Sequence, residues 1–245
     1  MNSISQHTTQ DPENTSVFIL AAGRGERMRP LTDTLPKPLL QVNGKNLLEH
    51  HLERLKIQGF KNIVINIDHL GEKVVDSIGN GDKFGLNIRY SDERPTGALE
   101  TAGGIHKALP LLESEAFIVI NGDVWSGFDY TKLLMVSQKL ATIVLVENPT
   151  HNPNGDFSAQ LDEHHQLTAM APKPSERTYT FSGIGLYQKA LFKQLSTGKQ
   201  KLAPLLYSAA KADQLGALFC EEEWFDIGTP ERLDEINQLL QKNNA

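Results

Sequence analysis

The chain has 245 residues, with 24 Lys and Arg against 30 Asp and Glu for a formal net charge of −6, and it is 39% hydrophobic and 22% charged. That composition fits a soluble globular protein with a real core, and a pI of about 5.8 argues against non-specific nucleic-acid binding, which needs a basic face. A single cysteine, Cys220, excludes a disulfide scaffold, 19 Gly and 12 Pro are too few for a low-complexity chain, and no apolar run approaches the ~20 residues that span a bilayer.

Met1 to Ser16 is polar, contains Pro12, and has neither a basic n-region nor an apolar h-region. It reads as a disordered, mobile tail ahead of a single domain over 17–245, and with no secretory signal the expected address is the cytoplasm. Val17–Ala22 is a short apolar run ending at Gly23, the pattern of a buried parallel strand. Asn46–Gln58 carries apolar residues at helical spacing and stops at Gly59; Asn62–Ile67 reads as a strand and Glu72–Ile78 as a short helix. Leu86–Tyr90 is a third strand, Ala102–Leu112 a helix that Pro110 ends or kinks, and Ala116–Ile120 a fourth strand leading into Asn121-Gly122-Asp123. Strand–helix alternation of this kind predicts an α/β fold with a mostly parallel central sheet covered on both faces.

Past that point the rhythm changes. Ala141–Glu147 is another strand, followed by a Pro/Asn/Gly-rich loop at Asn148–Asp156. Shorter strands at Phe157–Leu161, Leu167–Met170 and Thr180–Tyr187 are too close together for helical crossovers, so they predict a smaller inserted antiparallel sheet. Lys201–Ala212 and Pro230–Gln241 close the chain as helices, with Thr229 and Pro230 suited to a helix start. Ligands of open α/β sheets bind at the carboxyl ends of the strands, which directs attention to the loops at Gly23 and Asn121 and to the Pro-rich segment.

The densest of these segments is Leu20–Leu39, LAAGRGERMRPLTDTLPKPL. Gly23 and Gly25 follow a buried strand directly, so backbone N–H groups can approach a phosphate. Arg24, Arg27, Arg29 and Lys37 place four cations in one loop of an acidic protein, the local reversal of sign that a polyanion site requires. GxxxxGK[ST] is absent, and Met28 stands near where a dinucleotide fingerprint needs its third Gly, which also weakens an oxidoreductase reading. Asp123 and Asp226 each follow an apolar or aromatic run, placing each at a strand end. The bland alternatives are a turn at Asn121-Gly122-Asp123 and a solvated helix acid at Glu100.

Taken together, LAAGRGERMRPLTDTLPKPL, ALETAGGI, VINGDV, FSGIGLY and WFDIGTPERL resemble the motifs of the sugar-1-phosphate nucleotidyltransferases, over about Ser16 to Leu240. The combination ERMRPLT, LETAGGI, NGDVW and KLAPLL is most similar to a uridylyltransferase branch. The resemblance implies a Rossmann-like nucleotidyltransferase fold, and UTP and a sugar 1-phosphate as substrates, with Mg²⁺ as cofactor. It implies a monomer or weak homo-oligomer with neither nucleic acid nor membrane as partner. It assigns Ala22, Gly23, Gly25, Glu26, Arg27 and Lys37 to the nucleotide's phosphates and ribose, and Glu100, Thr101 and Gly103 to the base. Arg27, Lys37 and Asp123 become the catalytic set, and Asp123 and Asp226 the metal ligands. Asn121, Glu147, Asp156, Lys173 and Gly183 are implied to line the acceptor pocket. An acceptor carrying an additional carboxylate calls for a cation there; Lys201 and Lys173 are the candidates, with an exposed helix-start lysine as the stronger reading of Lys201. Other readings stay open: a thymidylyl- or guanylyltransferase for another hexose 1-phosphate, or a non-catalytic nucleotide-sugar sensor.

Overall fold

The computed structural model describes residues 11–136, 139–173 and 175–243. In chain order it runs through β1 (Ser16–Leu20), a small hairpin of β2 (Gln41–Val42) and β3 (Lys45–Asn46), then α1 (Leu47–Ile57), β4 (Asn62–Ile67), α2 (Gly71–Ile78) and β5 (Asn87–Asp92). There follow α3 (Glu100–Ala108), β6 (Ala116–Asn121), β7 (Val124–Ser126), β8 (Ala141–Val146), β9 (Phe157–Leu161) and β10 (Leu167–Met170). The long β11 (Thr178–Gln188), α4 (Ala203–Lys211), β12 (Leu215–Phe219), β13 (Trp224–Asp226) and α5 (Pro230–Asn243) complete the chain.

One nine-stranded sheet has the order β5-β4-β1-β6-β11-β8-β12-β10-β9. Strands β5, β4, β1 and β6 are mutually parallel, β11 is antiparallel to β6 and β8, and β12 is parallel to β8. The antiparallel strands expected as an inserted sheet thus continue the main one. Because β9 also pairs with the start of β11, strands β11, β8, β12, β10 and β9 close into a ring. Strand β12 is unanticipated: the short LGALF run follows an amphipathic helix with no change of periodicity to mark it.

The apolar strands read as unbroken runs because both faces are covered. Val17, Ile19, Ile63, Ile65, Ile118 and Ile120 pack with Leu48, Leu52 and Leu55 of α1 and Val74 and Ile78 of α2. The alternate positions Phe18, Val64, Phe117 and Val119 pack on the other face with Ala102 and Ile105 of α3 and Leu206 and Ala209 of α4. Helix α1 starts with a capping box, Asn46 and Glu49 each accepting from the other's backbone N–H. A third cluster sets Leu233 and Ile236 of α5 against Met28, Leu40, Val42 and Leu47, which seats the C-terminal helix beside the Gly/Arg loop.

Residues 11–16, expected in the tail, are structured. Asp11 caps a 3-10 turn over Pro12–Asn14, Thr15 and Ser16 are buried, and pairing with β4 begins at Ser16. The rest of the expected tail lies outside the described residues. Among the described residues, no helix is long and apolar enough to cross a membrane.

Candidate active site

Strands β1, β4 and β6 run in parallel register, so Leu20 stands beside Asn121 and their following loops open on the same edge of the sheet. There a cavity of about 480 Å³ is walled by Ala21 to Arg27, Lys37, Asn66, Glu93, Glu100, Thr101, Asn121, Asp123 and Gly228. Gly25 adopts a left-handed φ of 62°, and a Cβ there would come within 2.9 Å of Thr32 Cγ2, so the turn requires glycine. A Cβ on Gly23 would meet no protein atom within 4 Å; the backbone is bare towards the cavity.

The floor is held by two buried polar side chains. Asn66 Oδ1 accepts from the backbone N–H of Ala21 at 2.6 Å and of Ala22 at 3.3 Å, while its Nδ2 donates to Glu93 Oε1 at 2.7 Å. Glu93 Oε2 accepts from the Leu99 N–H at 2.9 Å. These bonds tie β1, β4, the end of β5 and the start of α3 into one frame. Burial pushes the Glu93 carboxyl above its usual range, against the pull of the hydrogen bonds from Asn66 and Leu99. Asn66 could have been suspected as a polar residue inside the apolar NIVINI strand, whereas Glu93 sits in an ordinary-looking charged loop.

A second cavity of about 300 Å³ adjoins the first and shares Arg27, Asn121 and Asp123 with it. Its other walls are His151, Asn152, Asp156, Thr180 to Gly183, Trp224 and Asp226. The ladder of β7 with β13 sets Asp226 opposite Val124, and Ile227 N–H donates to Asp123 O at 2.9 Å, which brings the two aspartates side by side. The register of β11 on β8 shifts between Phe181 and Gly185. In that bulge Gly183 has φ 81°, and a Cβ would lie 2.6 Å from Asn121 Nδ2, so only glycine leaves room for the asparagine.

Such a geometry joins a basic, glycine-lined polyanion cradle to a polar pocket across a pair of carboxylates. A family model described as Nucleotidyl transferase matches residues 16–243. The chain belongs to the nucleotidyl transferase family. It is 46% identical over 229 residues to the N-acetylmuramate alpha-1-phosphate uridylyltransferase of Neisseria meningitidis serogroup B, covering 91% of this chain and 96% of that protein. It is 28% identical over 248 residues to the UTP–glucose-1-phosphate uridylyltransferase of Synechocystis, covering 92% of this chain and 63% of that one. In three dimensions it matches a Bacillus anthracis structure in complex with sucrose at a TM-score of 0.76 and 24% identity, over 92% of this chain and 94% of that one. The architecture is thus the Rossmann-like one of this family, a mostly parallel sheet with small antiparallel additions.

In this nucleotidyl transferase the cations of the Gly/Arg loop divide into two kinds. Arg29 pairs with Asp33 at 3.1 Å, and the nearly buried Lys37 donates to Asp123 Oδ2. Arg24 and Arg27 have no ion-pair partner among the described residues and remain available to an anion. Asp226 Oδ2 accepts from Arg232 Nη1 at 2.8 Å, and His151 Nε2 lies 3.3 Å from the same oxygen. Gly228 sits between two guanidiniums: a Cβ there would be 2.2 Å from Arg232 Nη2 and 3.1 Å from Arg27 Nη2. Neither Arg232 nor His151 was singled out from sequence, because each reaches the site from a segment whose local pattern signals only a helix or a loop.

Not every residue expected at the site lines it. Ala22, Gly23, Gly25, Glu26, Arg27, Lys37, Glu100 and Thr101 line the first cavity, and Asn121, Asp123, Asp156, Gly183 and Asp226 the second. Gly103 instead faces the backbone beyond α3, where a Cβ would be 2.3 Å from Gly198 O, and its N–H donates to Gln200 O at 3.1 Å. Glu147 is exposed and pairs with Arg177 at 2.7 Å; Lys173 is exposed and pairs with Glu176 at 3.7 Å. Lys201 is exposed ahead of α4 and lines neither cavity. Asp156 reaches the pocket with both oxygens engaged, Oδ1 by Asn152 Nδ2 at 3.2 Å and Oδ2 by the Phe181 N–H at 2.9 Å, so it fastens the Pro-rich loop to β11.

Proposed function

We propose that this chain transfers UMP from UTP to N-acetylmuramate α-1-phosphate, giving UDP-N-acetylmuramate and pyrophosphate, as a cytoplasmic step of peptidoglycan recycling. The observation that carries the reading is the junction of a cationic cradle with a polar pocket at Arg27, Asn121 and Asp123. The choice of base and sugar rests on the 46% identity to the Neisseria enzyme over 96% of its length.

The chemistry asks little of acid–base groups, since the attacking phosphate oxygen is already anionic near neutral pH. The barrier lies in bringing two polyanions together and stabilising charge on the departing pyrophosphate, so positioning and electrostatics must do the catalysis. The bare backbone at Gly23 to Gly25 and the free Arg27 guanidinium receive the triphosphate. Arg27, facing both cavities, stands where negative charge from both substrates meets. Lys37 exchanges its Asp123 partner for a phosphate oxygen, and the α3 start at Glu100 and Thr101 borders the base.

The aspartate pair suits Mg²⁺. Both are hard oxygen donors; each commits Oδ2 to a cation of the protein, and Oδ1 has no hydrogen-bond partner among the described residues. Two carboxylates completed by phosphates and water are a usual Mg²⁺ environment. Asp123 and Asp226 would hold the ion, which supplies neutralising charge to the phosphates when bound. Purified protein with UTP, Mg²⁺ and N-acetylmuramate 1-phosphate releases pyrophosphate, and Asp123→Ala lowers the rate ~100-fold or more. Undiminished turnover by that variant overturns the aspartate assignment.

A further inference from the structure

An N-acetylmuramate acceptor differs from an N-acetylglucosamine acceptor by a lactyl ether ending in a carboxylate, and neither Lys173 nor Lys201 lines the acceptor cavity. Several of the acceptor cavity's side-chain donors are committed. Trp224 Nε1 donates to Ser182 O at 2.9 Å, Asn152 Nδ2 to Asp156 and Thr180, and Thr180 Oγ1 to Asn148 Oδ1 at 3.0 Å. Four side chains on its wall keep a donor without a partner among the described residues: Arg27, Asn121, His151 and Ser182, whose buried hydroxyl accepts from the Ile184 N–H. The first two are shared with the nucleotide cavity. His151 and Ser182 belong to the acceptor end alone, and of the two only His151 is exposed.

The tautomer of His151 follows from its neighbour. Arg232 Nη1 lies 2.9 Å from His151 Nε2, and a guanidinium can only donate, so Nε2 accepts and the ring proton sits on Nδ1. The same Nη1 donates its other hydrogen to Asp226 Oδ2, so the 3.3 Å approach of Nε2 to that oxygen is two acceptors sharing one donor. The outcome is an imidazole held at Nε2 by a fixed cation, with an N–H left to offer at Nδ1.

We propose that His151, oriented by Arg232, is the specificity-determining residue that reads the acceptor's additional carboxylate, through a hydrogen bond from Nδ1–H. This rests on the acceptor named under Proposed function. A donor to a carboxylate is a charge-assisted contact, and a site built around one discriminates strongly against an analogue lacking it.

The test compares kcat/KM for N-acetylmuramate 1-phosphate and N-acetylglucosamine 1-phosphate in the wild type, His151→Ala and His151→Asn, with the KM for UTP alongside. His151→Ala lowers the ratio of the two acceptors' kcat/KM about ten- to hundred-fold, mostly through the KM of the carboxylate-bearing sugar, and leaves the KM for UTP within about threefold. His151→Asn, which keeps a side-chain N–H near the Nδ1 position, recovers part of the ratio. An unchanged ratio, with both acceptors losing equally or neither losing, overturns the assignment. A wild type that turns over the N-acetylglucosamine sugar but not the N-acetylmuramate one overturns the acceptor reading itself, and that result is visible before any variant is made.

Discussion

Single side chains at this site are told apart by what already holds them. Arg27 has no ion-pair partner among the described residues and stands at the junction of two cavities, so its removal should cost the fold little and the proposed reaction much. Arg27→Ala is expected to lower kcat/KM for both substrates ~100-fold or more with the unfolding midpoint unchanged; a variant that keeps its rate, or loses it only by unfolding, contradicts the role. His51 is the opposite case, a side chain wholly enclosed under α1. Burial, reinforced by His50 and Arg54, lowers its pKa from 6.5 to about 4. A histidine depressed in the folded state contributes stability that is present above pH 6.5 and lost as pH falls towards 4, an effect of about 3 kcal/mol for a fall of that size. Urea unfolding followed from pH 7 to pH 4 should therefore show a steeper loss in the wild type than in His51→Gln, and parallel curves would rule this out.

At the scale of elements, the site exists because three parallel strands end together and a buried polar bridge sets their loops. Strands β1, β4 and β6 were readable from their apolar runs, and α1 from its periodicity and the stop at Gly59, because burial on both faces of a sheet and one face of a helix leaves a local signature. The bridge of Asn66 and Glu93 left almost none, since its logic lies in contacts between residues 45 and 27 positions apart in sequence. Both Glu93 oxygens accept from fixed donors. Glu93→Gln turns one acceptor into a donor facing another donor, and this outweighs the relief of burying a neutral group. The expected loss is about 1–3 kcal/mol, read as a lower urea midpoint with an unchanged slope. A midpoint equal to wild type would show that the bridge does not brace the frame.

For the molecule as a whole, the average charge of −6 conceals the feature that matters. Its acidic residues are spread over the chain, while Arg24, Arg27 and Lys37 are gathered on one edge of the sheet beside Asp123 and Asp226. The proposed phosphate cradle was legible because glycines and cations fall within one continuous segment after a strand. The second cavity, proposed to take the acceptor, was only partly so: Asn121, Asp156 and Gly183 reach it, whereas Glu147 and Lys173 point to exposed ion pairs instead. The pocket is assembled from a loop, a bulge and two distant segments, and local composition cannot register that. This is why Arg232 and His151 emerged only with the fold. The central claim is the joining of UMP to a carboxylate-bearing sugar phosphate across these two cavities. The most direct measurement is phosphorus NMR of the purified protein with UTP, Mg²⁺ and, in parallel, N-acetylmuramate, N-acetylglucosamine, glucose and mannose 1-phosphates, repeated with dTTP, CTP and GTP. The account predicts UDP-N-acetylmuramate and free pyrophosphate as the fastest-forming pair; faster formation of any other nucleotide sugar, or of none, would contradict it.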